Sequence, residues 1–222
     1  MTQSNIDHVA GATASPEKIA WMERFIPHPA GSALDLGCGA GLYSSWLSNK
    51  AWQVQAVDVN QPPSIPGVKT MEHNLEKGLP FPDSQFDLVM AWDVLEHVSA
   101  EEALWRDLAR VLRPGGILLG SVPHNADQRL RPYNLTFKHQ IDKTHQREYS
   151  REDIETRMRR NGLNPIQADL KGPVSPQVFA EFVSIRPLRR PIARLIGAAR
   201  RMGLLNFGEL YADVFFAAGK PG

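Results

Sequence analysis

The apolar run Ser32–Leu36 leads directly into Gly37-Cys38-Gly39-Ala40-Gly41, and a helical pattern opens at Leu42. Nothing else in the chain limits the fold as much. Alternate glycines at a strand-to-helix turn let the main chain take positive φ and lie against a ligand, while the start of the helix offers free N–H groups. The spacing is G-x-G-x-G, and residue 42, where a dinucleotide fingerprint carries its third glycine, is leucine. The next apolar run, Trp52–Val57, ends in Asp58, about twenty residues beyond the turn, where a carboxylate can accept hydrogen bonds from two ribose hydroxyls. A glycine turn followed by this acid is a nucleoside-binding combination.

Around this turn, strand and helix patterns alternate. A short strand is expected near Val68–Met71, a strand over Phe86–Ala91, a helix over Ala100–Leu112 and, after the turn Pro114-Gly115-Gly116, a strand over Ile117–Val122. Such alternation predicts a parallel sheet covered by helices on both faces. Upstream, Ser15-Pro16-Glu17 opens a lead-in helix with a hydroxyl cap and proline at the first helical position. Ser150 with Asp153 reads as a capping box for a helix that closes at Gly162, and Asp93-x-x-Glu96 and Ser99-x-x-Glu102 fit the same pattern. Asn164–Leu170 and Tyr211–Ala218 supply the last strands. The 222 residues suit one α/β domain over 31–222, with a helical lead-in over 1–30 and a helical insertion at about 172–208.

The single cysteine, Cys38, rules out an intrachain disulfide and any cysteine-based zinc cluster. No run of eighteen apolar residues is present and the first residues lack the order of a secretory signal, so a soluble cytoplasmic protein is expected. Charge is unevenly spread: eight Lys/Arg against fourteen Asp/Glu up to Val122, and seventeen against ten from Pro123 onward. The second half therefore either meets something anionic or carries a solvated basic face. Within it, Pro191–Met202 reads as a helix with Ile192, Leu195, Ile196 and Ala199 on one face and Arg190, Arg194 and Arg201 on the other. Two placements suit that helix. It can dock on the domain as a lid, which we favour, or make peripheral membrane contact over 186–202 with its arginines at phosphate level.

The segment Ala33-Leu-Asp-Leu-Gly-Cys-Gly-Ala-Gly41 resembles the first motif of the class I S-adenosylmethionine-dependent methyltransferases. Leu79-Pro-Phe-Pro-Asp-Ser-Gln-Phe-Asp-Leu-Val89, Asp93-Val-Leu-Glu-His97 and Leu112-Arg-Pro-Gly-Gly116 follow in the order and at the spacing of that family. The resemblance implies a Rossmann-like three-layer sandwich whose seven-stranded sheet is mostly parallel, with the last strand antiparallel. It further implies S-adenosylmethionine as cofactor. Gly37, Gly39 and Gly41 would face its methionine part, Asp58 its ribose, and Val59 its adenine. Asn74 stands where the family more often has an aspartate near the adenine amino group, and Asp35 where an acid holds the glycine loop and, through water, the cofactor's amino group. Cys38, Leu75, Ala91 and Trp92 complete the implied cofactor set, with no reactive role for the Cys38 thiol.

Methyl transfer from a sulfonium needs an aligned nucleophile and a water-poor site, and a hydroxyl nucleophile must also lose a proton. Asp93, Glu96 and His97, at i, i+3 and i+4, would share one face of a helical turn after the fourth strand. Their spacing resembles that of ubiquinone-pathway O-methyltransferases and small-RNA 2′-O-methyltransferases, where an acid–x–x–Glu–His element binds a divalent ion, with a further histidine in the RNA enzymes. His145 occupies a similar place here. The readings left open are a divalent metal ion on Asp93, Glu96, His97 and His145, a plain general base at His97 or His145, and a structural role. His124 and His139 are weaker candidates, and His8, His28 and His73 are read as surface or packing residues. An Asn/Asp-Pro-Pro-aromatic motif of nucleic-acid amino methyltransferases is absent, Ala91-Trp-Asp-Val94 standing in its place. A methyltransferase acting at oxygen on a small-molecule or lipid-linked acceptor is expected, with RNA as the alternative substrate and a non-catalytic cofactor-binding module as the alternative class. Aromatics for stacking bases are sparse in the basic half, which disfavours nucleic acid.

Overall fold

The computed structural model describes residues 13–125, 144–173, 186–202, 204 and 211–222. The first twelve residues, the middle of the loop after the fifth strand with His139, and parts of the 172–208 insertion lie outside the described residues. In chain order the elements are α1 (Pro16–Phe25), β1 (Ser32–Leu36), α2 (Leu42–Ser48), β2 (Gln53–Asp58), β3 (Val68–Glu72) and β4 (Phe86–Trp92). They continue with α3 (Glu101–Val111), β5 (Leu112–Pro123), α4 (Arg151–Arg160), β6 (Asn164–Pro173), α5 (Arg186–Arg201) and β7 (Tyr211–Gly219). Single 3₁₀ turns occupy Leu75–Lys77 and Leu95–His97.

The seven strands lie in the order β3-β2-β1-β4-β5-β7-β6. β1 to β5 pair in parallel, and β7 runs antiparallel to both β5 and β6, as expected for the Rossmann-like sandwich. Side-chain alternation along the strands sorts the core into two layers. Leu34, Leu36, Val89, Ala91, Leu118 and Phe216 face α3 and α4, while Ala33, Leu88, Met90, Trp92, Leu119 and Phe215 face α1 and α2. Trp21 of α1 anchors the second layer, its indole N–H donating to the Phe216 carbonyl at 3.3 Å.

Local signals held where they were self-contained. Ser15 Oγ accepts the Lys18 N–H with Pro16 at the first helical position, and Ser150 and Asp153 form the reciprocal capping box. The other two boxes do not form. The α3 N-cap is Ala100, because the Glu76 carboxylate reaches in from the loop after β3 and accepts the N–H groups of Ser99 (2.6 Å) and Ala100 (3.0 Å). The turn at Leu95–His97 starts from Val94 with no side-chain cap. β5 begins at Leu112, not Ile117, its irregular start accommodated by a register shift opposite Phe86 and Leu88. Similarly, α5 begins at Arg186, so Pro191 lies inside the helix instead of opening it. Among the described residues, no helix is long and apolar enough to cross a membrane.

Glu101, in the first turn of α3 and only 5% exposed, ties three segments together. It accepts the Trp105 indole N–H (3.0 Å) and pairs with Arg147 (2.6 Å) and, from α4, Arg157 (2.8 Å). Removing one partner of a buried pair leaves the others charged and under-solvated. Glu101→Ala is expected to lower stability by about 3 kcal/mol in urea unfolding, and Glu101→Gln by less, since it keeps an acceptor for Trp105. Equal, small losses in both variants would contradict this account.

Candidate cofactor cleft and catalytic cluster

Because β1 sends its connection toward β2 on one side and pairs with β4 on the other, the carboxyl edge opens a crevice between β1 and β4. A cleft of about 280 Å³ lies there, bordered by Gly37 from the β1 turn, Asp58 and Val59 after β2, Asn74 and Leu75 after β3, and Asp93, Val94 and His97 after β4. Gly37, Gly39 and Gly41 all have positive φ, at 63°, 50° and 73°. At Gly39 a Cβ would meet nothing within 4 Å, so the main chain there is bare toward open space. By contrast, a Cβ at Gly41 would stand 2.0 Å from Ile65 Cδ1, so this glycine serves packing.

Asp58 braces the loop. Its Oδ2 accepts the Gly39 N–H at 2.9 Å and its Oδ1 the Asn60 N–H at 3.0 Å, which leaves further acceptor capacity on each oxygen for a sugar. Beside it Val59 is 59% exposed, an apolar surface at the cleft rim. Asn74 caps the Leu75–Lys77 turn, its Oδ1 accepting the Glu76 N–H at 2.9 Å. Asp35 sits beneath the loop instead of lining the cleft: it is 2% exposed and accepts the Ser44 hydroxyl at 2.5 Å. Burial pushes its carboxyl up to about 7. Cys38 is buried, and burial with Asp35 and Asp58 nearby pushes its thiol up to about 12, so the thiol stays protonated and unreactive. Ala91 and Trp92 are core residues here. Ala91 pairs within the sheet, and the Trp92 ring packs against Tyr43 and Phe215, so neither borders the cleft.

The acid–x–x–Glu–His element only partly assembles. Asp93 has φ 54°, a left-handed conformation that breaks the helical turn its spacing suggests. Its carboxylate is taken by Lys18 Nζ of α1 (2.5 Å) and by the Ser121 hydroxyl. Glu96, His97 and His145, however, do converge, with one ligand atom from each lying within 4.8 Å of the others. Glu96 is 1% exposed, and among the described residues neither of its oxygens accepts a hydrogen bond. Burial and the neighbouring Asp93 push it up to about 8. His97 shares a hydrogen bond through Nδ1 with Thr144 Oγ1 (2.9 Å), and its ring meets that of His145 edge-on at 4.6 Å. Asp213 of β7 is also raised, to about 6, by burial and by Asp93. Lys18, 14% exposed beneath this acidic floor and near the Trp92 and Tyr43 rings, is the residue that sequence reasoning missed. His124 contacts the Tyr211 carbonyl and His73 the Gly78 carbonyl, neither in the cluster.

This sheet order, with a bare glycine turn and an acid one strand away, defines the class of S-adenosylmethionine-dependent methyltransferases with a Rossmann-like fold. The chain belongs to the methyltransferase-domain family, whose match runs over residues 13–168. It is 36% identical over 101 residues to a Mycobacterium tuberculosis protein described as a probable S-adenosylmethionine-dependent methyltransferase, a match covering 43% of this chain and 36% of that one. With the ubiquinone biosynthesis O-methyltransferase of Stutzerimonas stutzeri it shares 27% identity over 113 residues, or 46% and 48% of the two chains. The chain thus matches less than half the length of these curated relatives. The fold is that of a methyltransferase from Archaeoglobus fulgidus, with a TM-score of 0.64 at 18% identity over 93% of this chain and 95% of the other.

Two outcomes are expected. Gly39→Ala, strained by its positive φ but not crowded, should cost about 1 kcal/mol of stability and yet block S-adenosylmethionine in calorimetry. Gly41→Ala should cost about 2 kcal/mol more through its clash with Ile65. If Gly39→Ala binds normally, the bare turn is not the cofactor cradle. For Asp35, the folded chain holds a proton up to about pH 7, whereas the unfolded chain releases it near 3.8. The stability Asp35 confers is therefore complete below about pH 4 and is lost as pH rises through 7. Urea midpoints should fall across that window in the wild type and stay flatter in Asp35→Asn.

Proposed function

We propose that the chain transfers the methyl group of S-adenosylmethionine to a hydroxyl oxygen of a small-molecule or lipid-linked acceptor. The observation that carries this reading is the gathering of Glu96, His97 and His145 after β4, with His97 on the wall of the cleft bordered by Asp58 and Val59. The relatives named for ubiquinone biosynthesis O-methylation support oxygen as the acceptor atom.

The cofactor fits the residues present: an open main-chain turn at Gly39, spare acceptor capacity on Asp58 and an uncovered apolar rim at Val59. When bound, S-adenosylmethionine supplies a methyl on a positively charged sulfur, so the C–S bond breaks, its electron pair stays on sulfur, and a C–O bond forms. The hydroxyl proton must then go to the protein or to water. In the tautomer whose Nδ1–H donates to Thr144 Oγ1, His97 has its lone pair on Nε2, 4.0 Å from Glu96 Oε1, to receive it. The same three side chains also fit a divalent ion: one carboxylate whose buried oxygens accept no hydrogen bond among the described residues and two imidazoles form a suitable donor set. An ion held there would acidify the acceptor hydroxyl and relieve His97 of that task.

Purified protein is assayed with S-adenosylmethionine and a panel of phenolic, aliphatic-hydroxyl, amine and RNA acceptors, with and without chelator. Methylation of hydroxyl acceptors is expected, falling about a hundredfold in kcat for His97→Ala with unchanged cofactor affinity. Activity lost to chelator and restored by a divalent ion assigns the cluster to metal; full activity in chelator assigns His97 as the base. Turnover of amines or RNA but of no small hydroxyl compound would overturn the reading.

A further inference from the structure

The insertion between β6 and β7 leaves the sheet at the edge where the cofactor cleft opens. Pro173 at the end of β6 pairs with Tyr211 at the start of β7, and Asp213 two residues on pairs with Pro123 at the end of β5. Trp92, the last residue of β4, lies opposite Ser121 on the same edge. The insertion that carries α5 therefore leaves and rejoins the sheet at its carboxyl edge.

The helix is sharply divided. Its sixteen residues contain six arginines and no acid. Leu188, Leu195 and Met202 recur every seventh position, which places them on one face, and they are 45%, 70% and 66% exposed; Leu204, just beyond, is 73% exposed. Ile192, Ile196 and Ala199 lie next to that stripe and are half-buried, whereas the stripe itself is open. Arg190, Arg194 and Arg201 are exposed on the far side, and among the described residues no ion pair joins them to a carboxylate. A lid docked by its whole apolar face would hide Leu195, the most central of these positions. An exposed apolar stripe on a helix whose other side carries exposed arginines instead matches a surface that is apolar inside and anionic at its rim.

We infer that α5 is a peripheral anchor for an anionic membrane surface. Leu188, Leu195 and Met202 enter the acyl boundary, and the flexible stems of Arg190, Arg194 and Arg201 bring their guanidinium groups to the lipid phosphates. The inference does not depend on which hydroxyl the enzyme methylates, because a soluble acceptor could still be turned over without vesicles.

The test is flotation of the full chain with vesicles of phosphatidylcholine alone and of phosphatidylcholine with roughly a third phosphatidylglycerol. The protein should float with the anionic vesicles, remain behind with the neutral ones, and be released by high salt. A Leu195→Glu, Met202→Glu double variant should partition about tenfold or more weakly, and an Arg190→Gln, Arg194→Gln, Arg201→Gln triple variant about a hundredfold more weakly. Both should retain wild-type S-adenosylmethionine binding, which shows that the cofactor half is folded. No flotation, flotation unchanged in both variants, or equal flotation with neutral vesicles overturns the inference. So does an arginine-dependent shift with RNA in the absence of vesicle binding, or loss of a dimer in the Leu195 variant with no vesicle binding, which would assign the face to nucleic acid or to a second copy.

Discussion

The pairing of β1 with two parallel neighbours determines the arrangement of the functional site. Leu36, the last residue of β1, lies opposite Val57 on one side and Ala91 on the other. With the three strands ending level, the turn after β1 has Asp58 on one flank and the β4 turn on the other. Asp58 can therefore hold the loop through the Gly39 N–H, and Val94 can close against Gly37, where no Cβ would fit. Shifting β1 by one residue against either neighbour would exchange its buried faces and separate the loop from Asp58 or from Val94.

The charges at this edge follow from depth. Asp58, half-buried with two main-chain donors, is held at the rim where a polar ligand can reach it. Asp35 and Glu96, nearly inaccessible, are pushed toward the neutral form by desolvation, one under the cofactor turn and one behind His97. Lys18 offsets part of the resulting acidic group of Asp93, Glu96 and Asp213 from the opposite layer, and thereby fastens α1 over the β4 end. The glycine turn with Asp58 and the Glu96–His97 turn are far apart in the chain, yet they meet at one cleft because the ends of β1 and β4 lie side by side.

The cofactor half was legible because its signals are local. An apolar run, a glycine turn and an acid at the end of the next strand each express a backbone requirement within a short stretch, as does the Ser150–Asp153 box. What escaped the sequence depends on distant partners or on the sign of a single torsion. The Glu76 carboxylate replaces the expected α3 cap from 24 residues away in sequence, and Lys18 reaches Asp93 across 75. The left-handed backbone at Asp93, uncommon outside glycine, removes one member of the expected acid cluster. Trp92 has the position of a cofactor residue, yet its ring fills the layer between Tyr43 and Phe215, where the volume of the core decides its orientation.

This division bears on how specificity can arise in such a fold. The cofactor side is built from strand ends locked by the sheet, so its geometry changes only at the expense of the core. His97 is different: it belongs to a single 3₁₀ turn and takes its hydrogen bond from Thr144, while His145 comes from the segment leading to α4. The Glu96–His97–His145 cluster therefore rests on the connections after β4 and β5, whose lengths and side chains can vary without disturbing strand register. On the function proposed above, the donor is held by the sheet and the acceptor is chosen by the connections at its edge. A change in the connection before α4, which carries His145, should thus alter acceptor choice long before it alters how the donor is held.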